Sequence, residues 1–298
     1  MTPNGVLHIL FTMDCQPAGA PLGPRGAPAG PKSWEQSARS IDGFCTRLGN
    51  AGFPATLFLT PECAEEHAPL LEELLERGIE LGLYVQPQSL LGGGYKRYLG
   101  QYGREEQRGI VDLAKQQFQE AVGTRPQSVR TGMFSASDET FSVLYELGFR
   151  QGSLSSPGRR VGKHAAVWTG APSDPHYVDP HSRVRPGHLA FLEVPVTTDA
   201  TRLRGGLSPD LAIENGTFEA WHRPLIEGQL GRMQAEGVAF RALCITTRNA
   251  FPYHSAGERQ GAALEALIAY LAALEERYEV VPTTMSGAHA RFRSPVWV

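Results

Sequence analysis

Asp14 ends the apolar run VLHILFTMD and is followed at once by the thiol of Cys15. A carboxylate closing a buried-type stretch is either a proton acceptor or a structural cap, and both roles need a cationic or hydrogen-bonding partner. Arg130 in SVRTG offers one, and Glu193 in FLEVPVT is a second buried-type carboxylate that could use the same arginine. LGLYVQPQS carries Tyr84, Gln86 and Gln88, and Thr246 with Thr247 ends the run LCITT. These are neutral hydrogen-bonding groups, suited to contacting a polar ligand. Cys15 could also be a nucleophile, but a neighbouring carboxylate raises a thiol's pKa and no histidine follows at an obvious spacing.

Metal chemistry is poorly served by this set. Borderline divalent cations prefer imidazole, thiolate or carboxylate ligands. A glutamine gives only a neutral carbonyl, and a tyrosine must lose a proton with a pKa of about 10. Asp14 and Cys15 alone are too few, so the expectation is a site without metal. The alternative is zinc or another divalent cation on recruited histidines: His176 and His181 in DPHYVDPH, or His254 in NAFPYHS. Tyr95 in GGGYKRYLGQYG could stack on a sugar or pack on the body of the protein. Trp34, Trp168 and Trp221 could line an opening or lie in the core.

The elements that must position these groups follow from hydrophobic period and turn chemistry. Strands are predicted at 6–13, 55–60, 79–85, 128–132, 149–154, 191–197, 239–246 and 278–282. Helices are predicted from near Ser33, over PLLEELLERG, from Arg104 to Val122, over DETFSVLYELG capped by Ser137, and over GAALEALIAYLAALEER. In PLLEELLERG, Pro69 sits in the first turn and Gly78 just past the end. A Pro/Gly-rich loop runs from Gln16 to Lys32, and residues 155–189 read as an irregular surface insertion. About seven or eight β/α units without a composition break imply a single α/β domain over 1–298, its parallel sheet closing into a barrel. Working groups in such folds gather at the carboxyl ends of the strands, where Asp14, Tyr84, Arg130, Glu193 and Thr246 fall.

Bulk properties narrow the function. The 298 residues, 41% hydrophobic, can bury a full core. A net charge of −3 and a pI of about 6.3 give no basic surface for nucleic acid or an anionic membrane. No run approaches the roughly 18 apolar residues of a membrane span, and the N-terminus lacks a basic signal-peptide region. Cys15, Cys45, Cys63 and Cys244 are scattered, which fits a reducing compartment. A cytoplasmic protein is expected.

The order of segments resembles the polysaccharide deacetylase family, carbohydrate esterase family 4, with homology to the nodulation-type chitooligosaccharide deacetylases. FTMDCQ stands where that family has a T-F-D-D type motif, and PATLFLT where it has a-T-F-F. LLERGIELGLYVQPQ stands on its G-H-E-I-G-x-H-x-x-H segment, VGTRPQSVRTG on G-x-x-P-x-x-F-R-x-P/G, and SDETFSVLYELGF on the segment ending L-G-F. FLEVPVT looks like the E-I-P-V strand of surface-glycan relatives. The resemblance implies a distorted (β/α) barrel with about seven parallel strands. Carried over by position, it implies that Asp14 is the general base and Arg130 the group orienting it. Cys15, Tyr84, Gln86 and Thr246 stand in the places of the family's metal acid, two metal histidines and late acid histidine. The implied function is a protein of carbohydrate or surface-glycan metabolism that binds or acts on an N-acylated sugar without the metal triad. The alternative is an active hydrolase of carbohydrate N-acetyl bonds using recruited metal ligands. The expected partner is a small sugar-containing ligand, with Cys15, Tyr84, Gln86, Gln88, Glu193, Thr246 and Tyr95 contacting it.

Overall fold

The computed structural model describes residues 5–19, 30–255 and 257–292. Residues 20–29 of the expected Gln16–Lys32 loop lie outside the described residues. In chain order the first half holds β1 (Val6–Cys15), α1 (Trp34–Asn50), β2 (Ala55–Leu59), α2 (Pro61–Glu66), α3 (Ala68–Glu76) and β3 (Glu80–Val85). Then come α4 (Arg104–Val122), β4 (Ser128–Thr131), α5 (Thr140–Glu146), β5 (Gln151–Gly152), β6 (Arg160–Val161), β7 (Ala166–Val167), β8 (His176–Asp179), β9 (Ser182–Pro186) and β10 (Leu189–Glu193). The chain continues with α6 (Arg223–Ala235), β11 (Arg241–Arg248), α7 (Arg259–Ala273), β12 (Glu279–Pro282) and α8 (Met285–Arg291).

The parallel path runs β11–β1–β2–β3–β4–β5–β10, with β12 beside the start of β1. Its two ends meet through single bonds instead of a ladder. Thr197 N donates to Cys244 O at 3.1 Å, and Cys244 N donates to Thr197 Oγ1 at 2.8 Å. That sparse seam makes the barrel distorted, as the resemblance implied.

The period of two along each strand sorts side chains into two layers. On β1, Leu7, Ile9, Phe11, Met13 and Cys15 join the helix-facing core with Ile41, Phe44, Cys45 and Leu48 of α1. Leu10 belongs to a smaller cluster inside the barrel with Phe58, Tyr84, Leu192, Val194 and Cys244. Met285 and Ala288 of α8 also belong to it, plugging the end where the strands begin. Phe58 fills the axis so fully that a Cβ on Gly82 would lie 2.9 Å from its ring. On the outer layer, Ser33 caps α1 by accepting from Gln36 N at 3.2 Å, a contact typically worth about 1 kcal/mol.

The 155–189 segment differs from the expectation of an irregular insertion. β6 and β7 form an antiparallel ribbon, and β8 and β9 extend the main sheet antiparallel from β10. Three helices, α2, α6 and α8, were not foreseen. No helix among the described residues is long and apolar enough to cross a membrane.

Candidate ligand-binding site at the strand ends

Asp14 is the last inward residue of β1, and Arg130 reaches it from β4 across the barrel. Arg130 Nη1 donates to Asp14 Oδ1 at 2.8 Å, to Thr12 Oγ1 at 3.0 Å and to Thr246 Oγ1 at 3.2 Å. Its Nε donates to Ser153 O at 3.0 Å and its Nη2 to Ser153 Oγ at 2.8 Å, while the guanidinium lies 4.5 Å from the Phe58 ring centroid. Such a cage fixes the cation, which is fully buried; the Asp14 side chain keeps 11% exposure. Burial pushes the Asp14 carboxyl above its ordinary range, against the pull of Arg130. The pair is a proton acceptor held in one orientation with its outer face still reachable.

Tyr84, inward on β3, lies beside this pair. Burial, and then the Asp14 charge, push its phenol well above its ordinary pKa, so it keeps its proton and can donate a hydrogen bond. Gln86 continues the same face; its Nε2 donates to Gln88 Oε1 at 2.7 Å. Gly132 at the end of β4 makes room for it, since a Cβ there would sit 1.7 Å from Gln86 Oε1. The next two residues, Met133 and Phe134, have φ of 58° and 60°, a left-handed conformation that L side chains resist. Trp168 Nε1 donates to Phe134 O at 2.8 Å and holds that turn in place.

Beyond β5, buried Arg159 lies over the opposite side of the Phe134 neighbourhood, 5.1 Å from the ring centroid. Asp210 accepts from Asn215 Nδ2, and Trp221 Nε1 donates to the Asp210 carbonyl at 2.9 Å. Arg248 Nε donates to Glu214 Oε1 at 3.0 Å. Residue type and spacing alone do not single out Arg159, Asp210 and Glu214.

The expected site residues are divided by the structure. Asp14, Arg130, Tyr84 and Thr246 converge, and Gln86 and Gln88 pair at the neighbouring strand end. Cys15 does not join them: as the next residue on β1 it faces the helix layer, beside Cys63 and Cys45, and burial holds its thiol well above the usual range. The expected ligand contact of Cys15 is therefore corrected to core packing. Glu193, for which Arg130 was a candidate partner, instead accepts at Oε1 from Leu154 N at 2.9 Å, Ser155 N at 2.8 Å and Ser155 Oγ at 2.9 Å. Arg130 acts on it only through its field, and burial still pushes its pKa up to about 7. Tyr95 packs edge-on against Tyr102 at 5.9 Å. Trp34 packs edge-on against His67, while Trp168 and Trp221 support the mouth through backbone carbonyls. Thr247 points outward to Tyr253 and Glu214. His181 and His254 are exposed, and His176 is buried with Nδ1 2.8 Å from the Asp174 carbonyl.

Cys15, Tyr84 and Gln86 stand in the places of the family's metal ligands, and the residues present at this mouth do not fit a divalent cation. Among the described residues no three His, Cys, Asp or Glu side chains converge. Asp14 carries a guanidinium, Tyr84 retains its proton, Gln86 is a neutral amide bonded to Gln88, and Cys15 faces away. A cation would have to displace Arg130 and take weak neutral donors.

No family model matches the chain, and no curated protein matches it. Solved structures do. A probable polysaccharide deacetylase from Pseudomonas aeruginosa PAO1 superposes with a TM-score of 0.62 at 15% identity, covering 97% of this chain and 90% of that one. Puue allantoinase gives 0.61 at 14% identity, with 97% and 90% covered. A polysaccharide deacetylase candidate from Mycobacterium smegmatis gives 0.59 at 16%, with 95% and 89% covered. At these identities the likeness is one of fold: the chain has the polysaccharide-deacetylase-like barrel.

Proposed function

We propose that this chain, built on the polysaccharide-deacetylase-like barrel, recognises an N-acylated sugar at the Asp14 mouth without a metal triad, within carbohydrate or surface-glycan metabolism. The observation that carries this is the Asp14–Arg130 pair, locked at 2.8 Å yet partly exposed, and flanked by neutral donors and acceptors. An N-acyl sugar presents an amide N–H and hydroxyls to the carboxylate. The Tyr84 hydroxyl and the Gln86 and Gln88 amides suit its carbonyl and remaining hydroxyls. The fold supports a sugar ligand by association, because two of the structures it resembles are described as polysaccharide deacetylases. All four cysteines are free and buried, in keeping with work in the cytoplasm.

A second reading is favoured by the state of Asp14. A carboxylate made more basic by burial can take a proton from water as the water oxygen adds to an acyl carbon, then return that proton to the departing nitrogen. Tyr84 would donate to the oxyanion formed in between. This is hydrolysis of a carbohydrate C–N bond by a metal-independent route. Thr246, at the place of a late histidine, supplies no proton at neutral pH.

Titration calorimetry with N-acetylglucosamine oligomers, beside an acetate-release assay with and without chelator, tests both. Saturable binding weakened in Tyr84→Phe, with no acetate released, supports recognition. Chelator-resistant acetate release abolished in Asp14→Asn supports hydrolysis. Chelator-sensitive release, or no binding at all, overturns the proposal.

A further inference from the structure

Arg159 is buried with its Nε unsatisfied among the described residues. Its backbone is fixed just past the Pro157–Gly158 turn: its N–H donates to Ser156 O at 3.0 Å, and its carbonyl accepts from Trp168 N at 2.8 Å. The residue is only 6% exposed. Its Nε is buried without a hydrogen-bond partner, and the guanidinium makes no ion pair among the described residues. Other arginines drawn into this protein are answered: Arg130 by Asp14 and Ser153, Arg232 by both oxygens of Asp174. Asp210 acts on Arg159 only through its field, and that carboxylate is already engaged by Asn215. Leaving a buried guanidinium unpaired is costly, so its persistence points to a partner that arrives from outside.

A second feature points to the same place. The Phe134 ring lies 5.1 Å from the Arg159 guanidinium carbon and 6.0 Å from that of Arg130, on the strained Met133–Phe134 turn. Strained backbone of this kind persists where the surroundings impose it, often at ligand-binding sites. The ring lies beside the guanidinium, whose fork of N–H donors suits a planar carboxylate or a tetrahedral phosphate. Phe134 stands between the guanidinium groups of Arg130 and Arg159, which places the second cation beside the mouth that holds Asp14.

Resting on the sugar-site reading above, we propose that Arg159 is an oxyanion subsite: the ligand carries a carboxylate or phosphate that pairs with this guanidinium while its N-acyl group reaches Asp14 and Tyr84. The ligand class is then an acidic N-acylated sugar. A neutral one would leave Arg159 unanswered.

Calorimetry with three probes of shared skeleton tests this: N-acetylglucosamine, its 6-phosphate and the corresponding uronic acid. The wild-type protein is expected to bind one of the anionic probes at least about tenfold more tightly than the neutral one, as charge-assisted hydrogen bonds allow. Whichever anion wins identifies the oxyanion. Arg159→Gln should equalise the probes while leaving neutral-sugar affinity within about twofold. It should also raise the ligand-free Tm, because it removes an unanswered buried charge. Equal affinities in the wild-type protein would overturn the subsite and leave the sugar reading standing. A lower Tm in Arg159→Gln would also overturn it, by showing that the charge is already paired. If no sugar binds, the sugar reading falls and the subsite is judged separately by inorganic phosphate and acetate. Stabilisation of the wild-type protein by either anion, lost in Arg159→Gln, sustains it; no stabilisation ends it.

Discussion

Replacing Glu193 by glutamine should remove a pH dependence of stability that the fold imposes on that one carboxyl. Glu193 is 1% exposed, and its pKa rises from an ordinary 4.5 to about 7, chiefly through burial and against the hydrogen bonds of Leu154 and Ser155. A carboxyl raised on folding binds its proton more tightly in the native state, so unfolding becomes easier as pH climbs through that interval. The interval from 4.5 to about 7 corresponds to a loss of about 3 kcal/mol on crossing it. Glutamine keeps one carbonyl oxygen for Leu154 and Ser155 and cannot ionise. Urea denaturation of both proteins from pH 4.5 to 8.5 isolates the effect, because contributions common to both cancel in the difference. His8 is one of these, its pKa lowered to about 4 by burial, which gives a slope of opposite sign between 4 and 6.5. The wild-type stability minus that of the variant should fall by about 3 kcal/mol across the range. A difference that stays level, or that grows with pH, would refute the reasoning. It would mean that the three hydrogen bonds to Oε1 outweigh desolvation and that Glu193 is a buried anion held by them.

Asp14→Asn leaves Arg130 a fully buried cation without its anion and should cost about 3–5 kcal/mol by urea denaturation. Asp14→Asn with Arg130→Met should cost clearly less than the two single changes added, since the pair is removed together. Cys15→Asp should destabilise by several kcal/mol, because it sets a carboxylate in the helix-facing core beside Cys63 and Cys45. Combining it with Tyr84→His and Gln86→His should add no zinc affinity over the two histidine changes alone, as read by calorimetry. Gly132→Ala should push the flexible Gln86 amide aside, with Tm changed little and ligand affinity reduced about tenfold or more.

Much of the barrel could be read from period and turn chemistry, because strands buried on both faces are continuous apolar runs and α4 has clear boundary signals. Its predicted span, Arg104 to Val122, is the observed one. α6 was missed because Gly228 and Gly231 interrupt RPLIEGQLGRMQA and a polar Gln229 sits in its buried stripe of Leu225, Ile226, Leu230 and Met233. At the site, Asp14, Tyr84, Arg130 and Thr246 were legible because each ends a strand on the same inward parity. Cys15 was misplaced because adjacent residues on a regular strand face opposite layers, and β1 stays regular through Cys15, pairing with Leu59 of β2. Glu193 was misassigned because its partners are backbone amides, which residue type does not announce. Arg159 was invisible beside Arg160: the two are consecutive and identical, and only the turn at Gly158 decides that the first is buried and the second exposed.

The balance of charge at the mouth follows from who answers whom. Arg130 is matched to Asp14 at 2.8 Å, and Arg248 to Glu214 at 3.0 Å. Each of these carboxyls is raised by burial, so each pair depends on the cation's proximity to keep the acid ionised. Asp210 is the carboxyl left for Arg159, and burial raises it too, against the field of Arg159 and the hydrogen bond from Asn215. Field alone, at a separation beyond bonding, compensates a buried guanidinium poorly compared with a bidentate contact. The mouth therefore carries its unsatisfied guanidinium beside Phe134 and its proton acceptor beside Thr246. A ligand that matches both must be acidic at one end and hydrogen-bonding at the other, and a neutral amide alone satisfies only half of that demand.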